Sequence, residues 1–470
     1  MIVFISQLAG TEPELLRVDR IVGKNISILG MARSGLALAK TLKELGAKVF
    51  VSDLKNENNL KSETKELKKL KIDFETGGHS QKLLQEKDYL VLSPGVPGDI
   101  PIVKEAEFLG IPVFSEIEVA YWLCPAEIVA ITGSNGKTTT TTLVGEILKK
   151  AGKETWVAGN IGVAFSRVLN QISPEGIVVL EVSSFQLEKI QEFKPRISAI
   201  LNLSPDHLDR YPNVEAYIQA KFRIFENQDK SDFAVLNYDD LLLRKKAAEI
   251  KAPVLFFSTS AGLEEGAYVK DKSLIVKLGG KEKRIIDINQ IGIKGPHNLS
   301  NAACASLIAT ILGVKPETIA EVLKEFKGVE HRLEAVAEIN GIKFINDSKA
   351  TNMDSVWYAL QSVAQPVILI AGGKDKGGDF SKLSDLVKEK VKLLILIGQA
   401  KEKIKSALGS LTETIEAQDL AEAVKLAYKK AQAGDTVLLS PACASYDMFS
   451  NFEERGKIFK QEVAKLQKNG

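Results

Sequence analysis

Cysteine is scarce in this chain of 470 residues: Cys124, Cys304 and Cys443 are odd in number and far apart. That spacing excludes a disulfide framework and argues against a zinc site, so the thiols read as buried side chains in a reducing cytosol. An excess of one charge is missing too. Lys and Arg number 62 against 60 Asp and Glu, a net +2, which leaves no broad basic field for nucleic acid. No apolar run approaches the roughly 20 residues of a membrane-crossing helix, and no membrane partner is expected. The opening MIVFISQLAG lacks a basic flank and leads into acidic residues, so it does not read as a signal peptide. Fixed-period repeats and low-complexity stretches are absent. What is present, 45% hydrophobic and 26% charged residues, is the composition of a soluble, cytoplasmic globular protein. Its length predicts two to four domains at about 150 residues each.

Short Val- and Ile-rich runs alternate with amphipathic stretches from end to end, the pattern of βαβ units around parallel sheets. Three α/β blocks in series follow, with boundaries at 1–123, 124–328 and 329–470. NISILG, KVFVSD and YLVLSPG are strands of the first, a Rossmann-like block, with SGLALAKTLKELG as a helix between them. The second opens with EIVAIT and continues through IVVLEVSS and ISAILNLS; its residues 258–294 read as antiparallel hairpins at the sheet edge. The third, again Rossmann-like, contains PVILIAGG, KLLILIG and TVLLSPA. Clefts between such blocks are where ligands bind, and the junctions near 123 and 328 are candidate hinges.

The strongest chemical signal is the run Gly133-Ser134-Asn135-Gly136-Lys137-Thr138-Thr139, between the strand EIVAIT and the helix TTTTTLVGEILKKAG. Backbone N–H groups of such a loop, at the positive end of a helix, can encircle phosphate oxygens. Lys137 can reach the β- and γ-phosphates, and Thr138 can offer its hydroxyl to Mg²⁺. Thr132 stands where the longer form of this motif has its first Gly, and a Gly-Lys turn can also be a plain helix cap. The order strand, loop, helix makes this a nucleotide site of a P-loop domain. Glu181 ends an apolar strand beside it, as a metal ligand or as a helix-cap acid. His207, between Asp206 and Asp209, is a candidate ligand or orienter. Lys221 lies among Tyr217, Phe222 and Phe225; desolvation there would free its amine for chemistry, while spacing alone reads it as a lysine with its ammonium in water. These features alone support an ATP-using enzyme or a nucleotide-gated binding protein.

In chain order, GSNGKTTT, GNIG, EVSSFQLE, SPDHLDR, the AKFRIF helix, GPHNLSNAACA and EHRLE resemble the Mur ligases. NDSKATN and LSPACASYDMFSNFEERG are similar to the D-glutamate-adding members of that family. The resemblance covers nearly the whole chain. It implies a first domain that binds UDP, a central P-loop ATPase and a third domain for the amino acid. It also implies an ATP-dependent ligase, here a monomer, that joins D-glutamate to UDP-N-acetylmuramoyl-L-alanine through an acyl phosphate. Lys221 would be carbamylated by CO₂, and Glu181, His207, Thr138 and Lys221 would hold Mg²⁺, two ions in all. Gly133, Asn135, Gly136, Lys137, Thr138 and Thr139 match the nucleotide loop. Asn298, Asn301, Arg332, Asp347 and Lys349 match positions near the nucleotide or the acyl phosphate. D-Glutamate recognition falls to Thr351, Lys376, Ser445 and Phe452, although spacing does not separate Lys376 from Lys374.

For the UDP-linked substrate the matching residues are Arg33, Ser34, Asp53, Ser93 and Asn160. Ala32 replaces the middle Gly of a G-x-G-x-x-G loop, which disfavours a dinucleotide cofactor. Catalytic roles fall to Lys137, His207 and Lys221, and the base for the incoming amine is left open.

Overall fold

β-Branched runs become strands because such side chains fit a pleated surface covered on both faces. The computed structural model, which describes residues 17–160, 162–205, 210–375 and 377–469, arranges them in three sheets. The first contains β1 (Asn25–Leu29), β2 (Lys48–Asp53), β3 (Asp73–Thr76), β4 (Tyr89–Leu92) and β5 (Val113–Ser115), in the order β3-β2-β1-β4-β5. Every pair is parallel. The strand order reverses between β1 and β4, and open α/β sheets bind ligands at such a point.

The second sheet contains β6 (Glu127–Thr132), β7 (Thr155–Gly159), β8 (Ile177–Glu181), β9 (Ile197–Ile200) and β10 (Phe233–Asn237). It continues with β11 (Val254–Phe257), β12 (Gly266–Lys270), β13 (Ser273–Leu278) and β14 (Lys281–Asp287). The order is β14-β13-β12-β11-β10-β9-β6-β8-β7. β12 runs parallel to β11, and only with β13 does the pairing turn antiparallel. The connecting Asp271 and Lys272 both have positive φ, as a tight two-residue hairpin requires. The expected hairpin edge is therefore present within residues 258–294, with β12, the first strand after residue 258, as its first arm.

The third sheet contains β15 (Glu334–Ile339), β16 (Ile342–Asn346), β17 (Val367–Gly372), β18 (Val391–Ile397), β19 (Glu413–Glu416) and β20 (Thr436–Leu439). Its order is β15-β16-β20-β17-β18-β19, parallel except for β15. One apolar cluster around Leu369, Leu394 and Leu438 covers one face, and another around Ile370, Ile395 and Leu439 covers the other. Alternate residues of one strand thus serve opposite cores.

By packing, the chain forms two compact units. One runs through Leu203 and adds Glu215–Ile286 and Ala302–Val322; the other comprises Ser204–Val214, Asp287–Asn301 and the chain from Leu323 onward. The first unit holds two sheets because their cores are continuous: Ile28, Phe114 and Trp122 belong to one apolar cluster with Ile128, Phe165 and Phe193. Leu123 and Cys124, where a hinge is expected from sequence, are buried in it. All three cysteines are buried and free. Among the described residues no helix is long and apolar enough to cross a membrane.

Candidate functional site

β6 delivers the chain into Gly133–Gly136, and the helix Lys137–Lys150 leaves it. Gly133 has φ +148, and a Cβ there would meet Leu201 Cβ at 3.1 Å; Gly136, at φ +86, caps the helix in the left-handed region. Both positions need Gly for the backbone to make this turn. The Lys137 ammonium donates to the carbonyls of Gly133 and Ser134, 2.8 Å each. Thr138, the second helical residue, donates its hydroxyl to Glu181 Oε2 at 2.7 Å, and both side chains are buried. Asn160 Nδ2 donates to the other oxygen of Glu181 at 2.9 Å.

Glu181 is therefore not a helix cap. That task falls to Ser183, whose hydroxyl accepts from Gln186 N–H while the Gln186 side chain returns the bond. β7 and β8 pair in register Gly159↔Glu181, and a Cβ on Gly159 would lie 2.3 Å from the Glu181 carbonyl. That close approach sets Asn160 against the carboxylate.

Lys221 departs from what spacing alone predicts. It sits in the last turn of the helix Val214–Phe222 and is 2% exposed, so its ammonium is not in water. Its Nζ donates to the Gly133 carbonyl at 3.0 Å and lies 4.6 Å from the centre of the Tyr217 ring. The Tyr217 hydroxyl is 3.1 Å from Ser134 Oγ. The helix thus aims an amine and a phenol at the Gly133–Gly136 loop. Hydroxyl, carboxylate and amide oxygens around Thr138, Glu181 and Asn160 are the hard donors that Mg²⁺ takes. His207, with Asp206 and Asp209, lies outside the described residues. Asn202, which the sequence reading passed over, clasps the backbone of Asn135 with both ends of its side-chain amide.

In the same unit the glycine loop after β1 stands at the C-terminal end of the first sheet. Gly35 has no room for a Cβ, which would come within 1.9 Å of the Gly30 carbonyl. Asp53 Oδ2 accepts from Met31 N–H at 2.7 Å, Ser93 Oγ donates to the Gly30 carbonyl at 2.9 Å, and Arg33 donates to the Gly162 carbonyl at 3.0 Å. Asp53 and Ser93 thus brace the loop that Ser34 enters.

The second unit gathers the rest. Asn298 and Asn301 lie on the helix Pro296–Ile311 and are bonded to each other at 3.3 Å. Burial, helped by the charge of Arg332, holds the His297 imidazole down at about 3; burial pushes the Asp347 carboxyl up to about 7 against the Ser440 hydrogen bond and the same Arg332 charge. Asp347 accepts from Ser440 Oγ at 2.7 Å and Leu333 N–H at 3.1 Å. Lys349 places its ammonium 5.2 Å from the centre of the Phe452 ring, and Thr351 follows in the same loop. Lys374 bridges Ala444, the neighbour of buried Ser445. Lys376 lies outside the described residues. Arg455, 1% exposed and unnoticed in the sequence, ties these loops together through Ser348 Oγ, the Ser348 carbonyl and the Cys443 carbonyl.

Three family models match the chain in series: the Mur ligase MurD-like N-terminal domain over residues 24–115, the Mur ligase middle domain over 131–309, and the Mur ligase glutamate ligase domain over 331–443. The UDP-N-acetylmuramoylalanine–D-glutamate ligase of Thermoanaerobacter sp. (strain X514) is 48% identical over 450 residues, 95% of this chain and 99% of that protein. Its counterpart in Alkaliphilus oremlandii (strain OhILAs) is 47% identical over 449 residues, with the same coverage. Among solved structures, UDP-N-acetylmuramate-alanine ligase MurC of Thermotoga maritima superposes with a TM-score of 0.61 at 21% identity, over 95% of this chain and all of that one, a likeness of fold.

Proposed function

The chain belongs to the Mur ligase family, and on that premise we propose that it is the ATP-dependent ligase that joins D-glutamate to UDP-N-acetylmuramoyl-L-alanine in peptidoglycan precursor synthesis. It would act as a cytoplasmic monomer on small-molecule substrates, with domain boundaries near 123 and 328. The observation that carries the reading is the buried Lys221 amine, 3.0 Å from the carbonyl of Gly133, in the loop that leads into the helix whose Thr138 is bonded to Glu181.

In the first step an oxygen of the substrate's terminal carboxylate attacks the γ-phosphorus of ATP. The bond to the β,γ-bridging oxygen breaks, ADP leaves with its electron pair, and an acyl phosphate remains. Lys137 and the loop N–H groups hold the phosphates and offset the charge on the transferring group. In the second step the free amine of D-glutamate attacks the acyl carbon, a tetrahedral intermediate forms, and phosphate departs. The amine loses a proton to a base we leave unassigned. Thr138, Glu181, His207 and a carbamate on Lys221 would hold magnesium, two ions in our reading, which supplies positive charge against the transferring phosphoryl group. The carbamate would form when the Lys221 ammonium gives up one proton and the resulting amine attacks CO₂ and releases a second, turning a cation into a carboxylate.

Asn298, Asn301, Arg332, Asp347 and Lys349 would face the nucleotide and acyl phosphate, and Arg33, Ser34, Asp53, Ser93 and Asn160 the UDP-linked substrate. Thr351, Lys376, Ser445 and Phe452 would take D-glutamate, with lysine and hydroxyls meeting its two carboxylates.

The test is phosphate release from ATP with UDP-N-acetylmuramoyl-L-alanine, run against a panel of D- and L-amino acids. Release should require the acceptor and respond to D-glutamate. A stronger response to another amino acid would reassign the chain to a sister ligase, and acceptor-independent nucleotide binding without release would make it a switch.

A further inference from the structure

β9 ends at Ile200, yet its pairing with β6 continues into the phosphate loop. Leu201 N–H donates to the Thr132 carbonyl and Ser134 N–H to the Asn202 carbonyl, 3.0 Å each. At the next step the Asn202 side chain replaces backbone. Its Oδ1 accepts from Asn135 N–H at 2.8 Å, and its Nδ2 donates to the Asn135 carbonyl at 3.0 Å. A primary amide carries the same acceptor and donor as a peptide unit, so the side chain acts as one more rung of the ladder.

That rung has a directional consequence. In a trans peptide the carbonyl of one residue and the N–H of the next point opposite ways. Holding the Asn135 carbonyl against Asn202 therefore turns the Gly136 N–H to the other side, at the mouth of the helix that begins with Lys137. The carbonyls of Gly133 and Ser134 are held by Lys137 in the same manner. The N–H groups of Ser134 and Asn135 are spent on Asn202. The cradle is thus narrower than the whole glycine-rich run and starts at Gly136.

We propose that Asn202 is a positioning residue for the nucleotide: it fixes the Asn135–Gly136 peptide so that the Gly136 N–H faces the phosphates. The proposal rests on the reading of this loop as the ATP site.

The full-length chain tests it by titration with MgADP. Asn202→Ala loses both bonds of the clasp, each a neutral hydrogen bond, and should weaken MgADP binding about 10- to 30-fold. The KM for ATP should rise with it while kcat at saturating ATP stays within about threefold. Asn202→Asp gives a sharper reading. The carboxylate keeps the acceptor but sets a negative oxygen against the Asn135 carbonyl, whereas the protonated acid regains a donor. MgADP affinity relative to wild type should therefore be lowest near pH 8 and recover severalfold towards pH 5, with no such recovery for Asn202→Ala. Alanine-variant affinity within twofold of wild type overturns the proposal. So does a flat pH response of the aspartate variant, which also decides the matter if the alanine variant fails to fold. Failure of the wild-type chain to bind MgADP would instead sink the reading of the loop itself, and this inference with it.

Discussion

Glu118 should be the most sensitive carboxylate of the first unit outside the phosphate loop. It lies on the short helix Glu116–Trp122 and has no exposed surface. Its oxygens accept from the N–H groups of Gln191 (3.0 Å), Glu192 (2.9 Å) and Phe193 (2.9 Å) and from Trp122 Nε1 (2.9 Å). One side chain from the β5 side of the core therefore terminates three successive amides that follow β8. Glu118→Ala strands those donors, and each buried orphan costs about 1–3 kcal/mol. Local relaxation and water entry bring the expected total to roughly 3–5 kcal/mol, the usual size for removing one partner of a buried charged network. Glu118→Gln keeps an acceptor, and it also sheds the ionisation cost of a carboxyl whose pKa burial raises, so its loss should be smaller. Trp122, 1% exposed, reports directly on the seam. With Trp156→Phe and Trp357→Phe in the background, urea unfolding followed by Trp122 emission isolates it. At about 3 kcal/mol per molar, the alanine midpoint should fall roughly 1–1.7 M. A midpoint within about 0.3 M of the parent, or a glutamine variant worse than the alanine one, would refute the account of the seam.

Lys221→Ala should remove most acceptor-dependent phosphate release, with partial recovery on adding a short-chain carboxylic acid; full activity in the variant would dismiss the carbamate. Asp347 sets a pH dependence. Its carboxyl stands at about 7 in the fold, above its unfolded value, so the stability it contributes is complete below about pH 4 and is lost as pH rises through about 7. Asp347→Asn removes that dependence, and the stability of the variant relative to wild type should climb between pH 4 and 8 by at most about 4 kcal/mol. Urea midpoints at both ends of the range measure this, and a difference that does not change with pH would contradict it.

Periodicity alone was enough for the strands named in all three blocks, because buried parallel strands are near-continuous apolar runs that local composition reveals. The glycine-rich loop between β6 and its helix was legible for a similar reason: glycines, lysine and threonines lie within seven consecutive residues. Lys221 was not legible from spacing. Its burial depends on the loop that its helix crosses, 88 residues earlier in the chain, and helical spacing carries no information about that neighbour.

Asn202, Arg455 and Glu118 escaped for the same cause. Each is a polar side chain with partners on other elements, and as letters they look like an asparagine after a strand, one arginine among charges and one acid in a helix. Sequence by itself determined the strands named above, their grouping into three α/β blocks and the position of the glycine-rich loop before its helix, since these follow from patterns within a few residues. Only the tertiary structure decided that the first two sheets share one core across Leu123, and which buried polar groups hold the loop in place. Those outcomes depend on satisfying donors and acceptors between segments far apart in the chain.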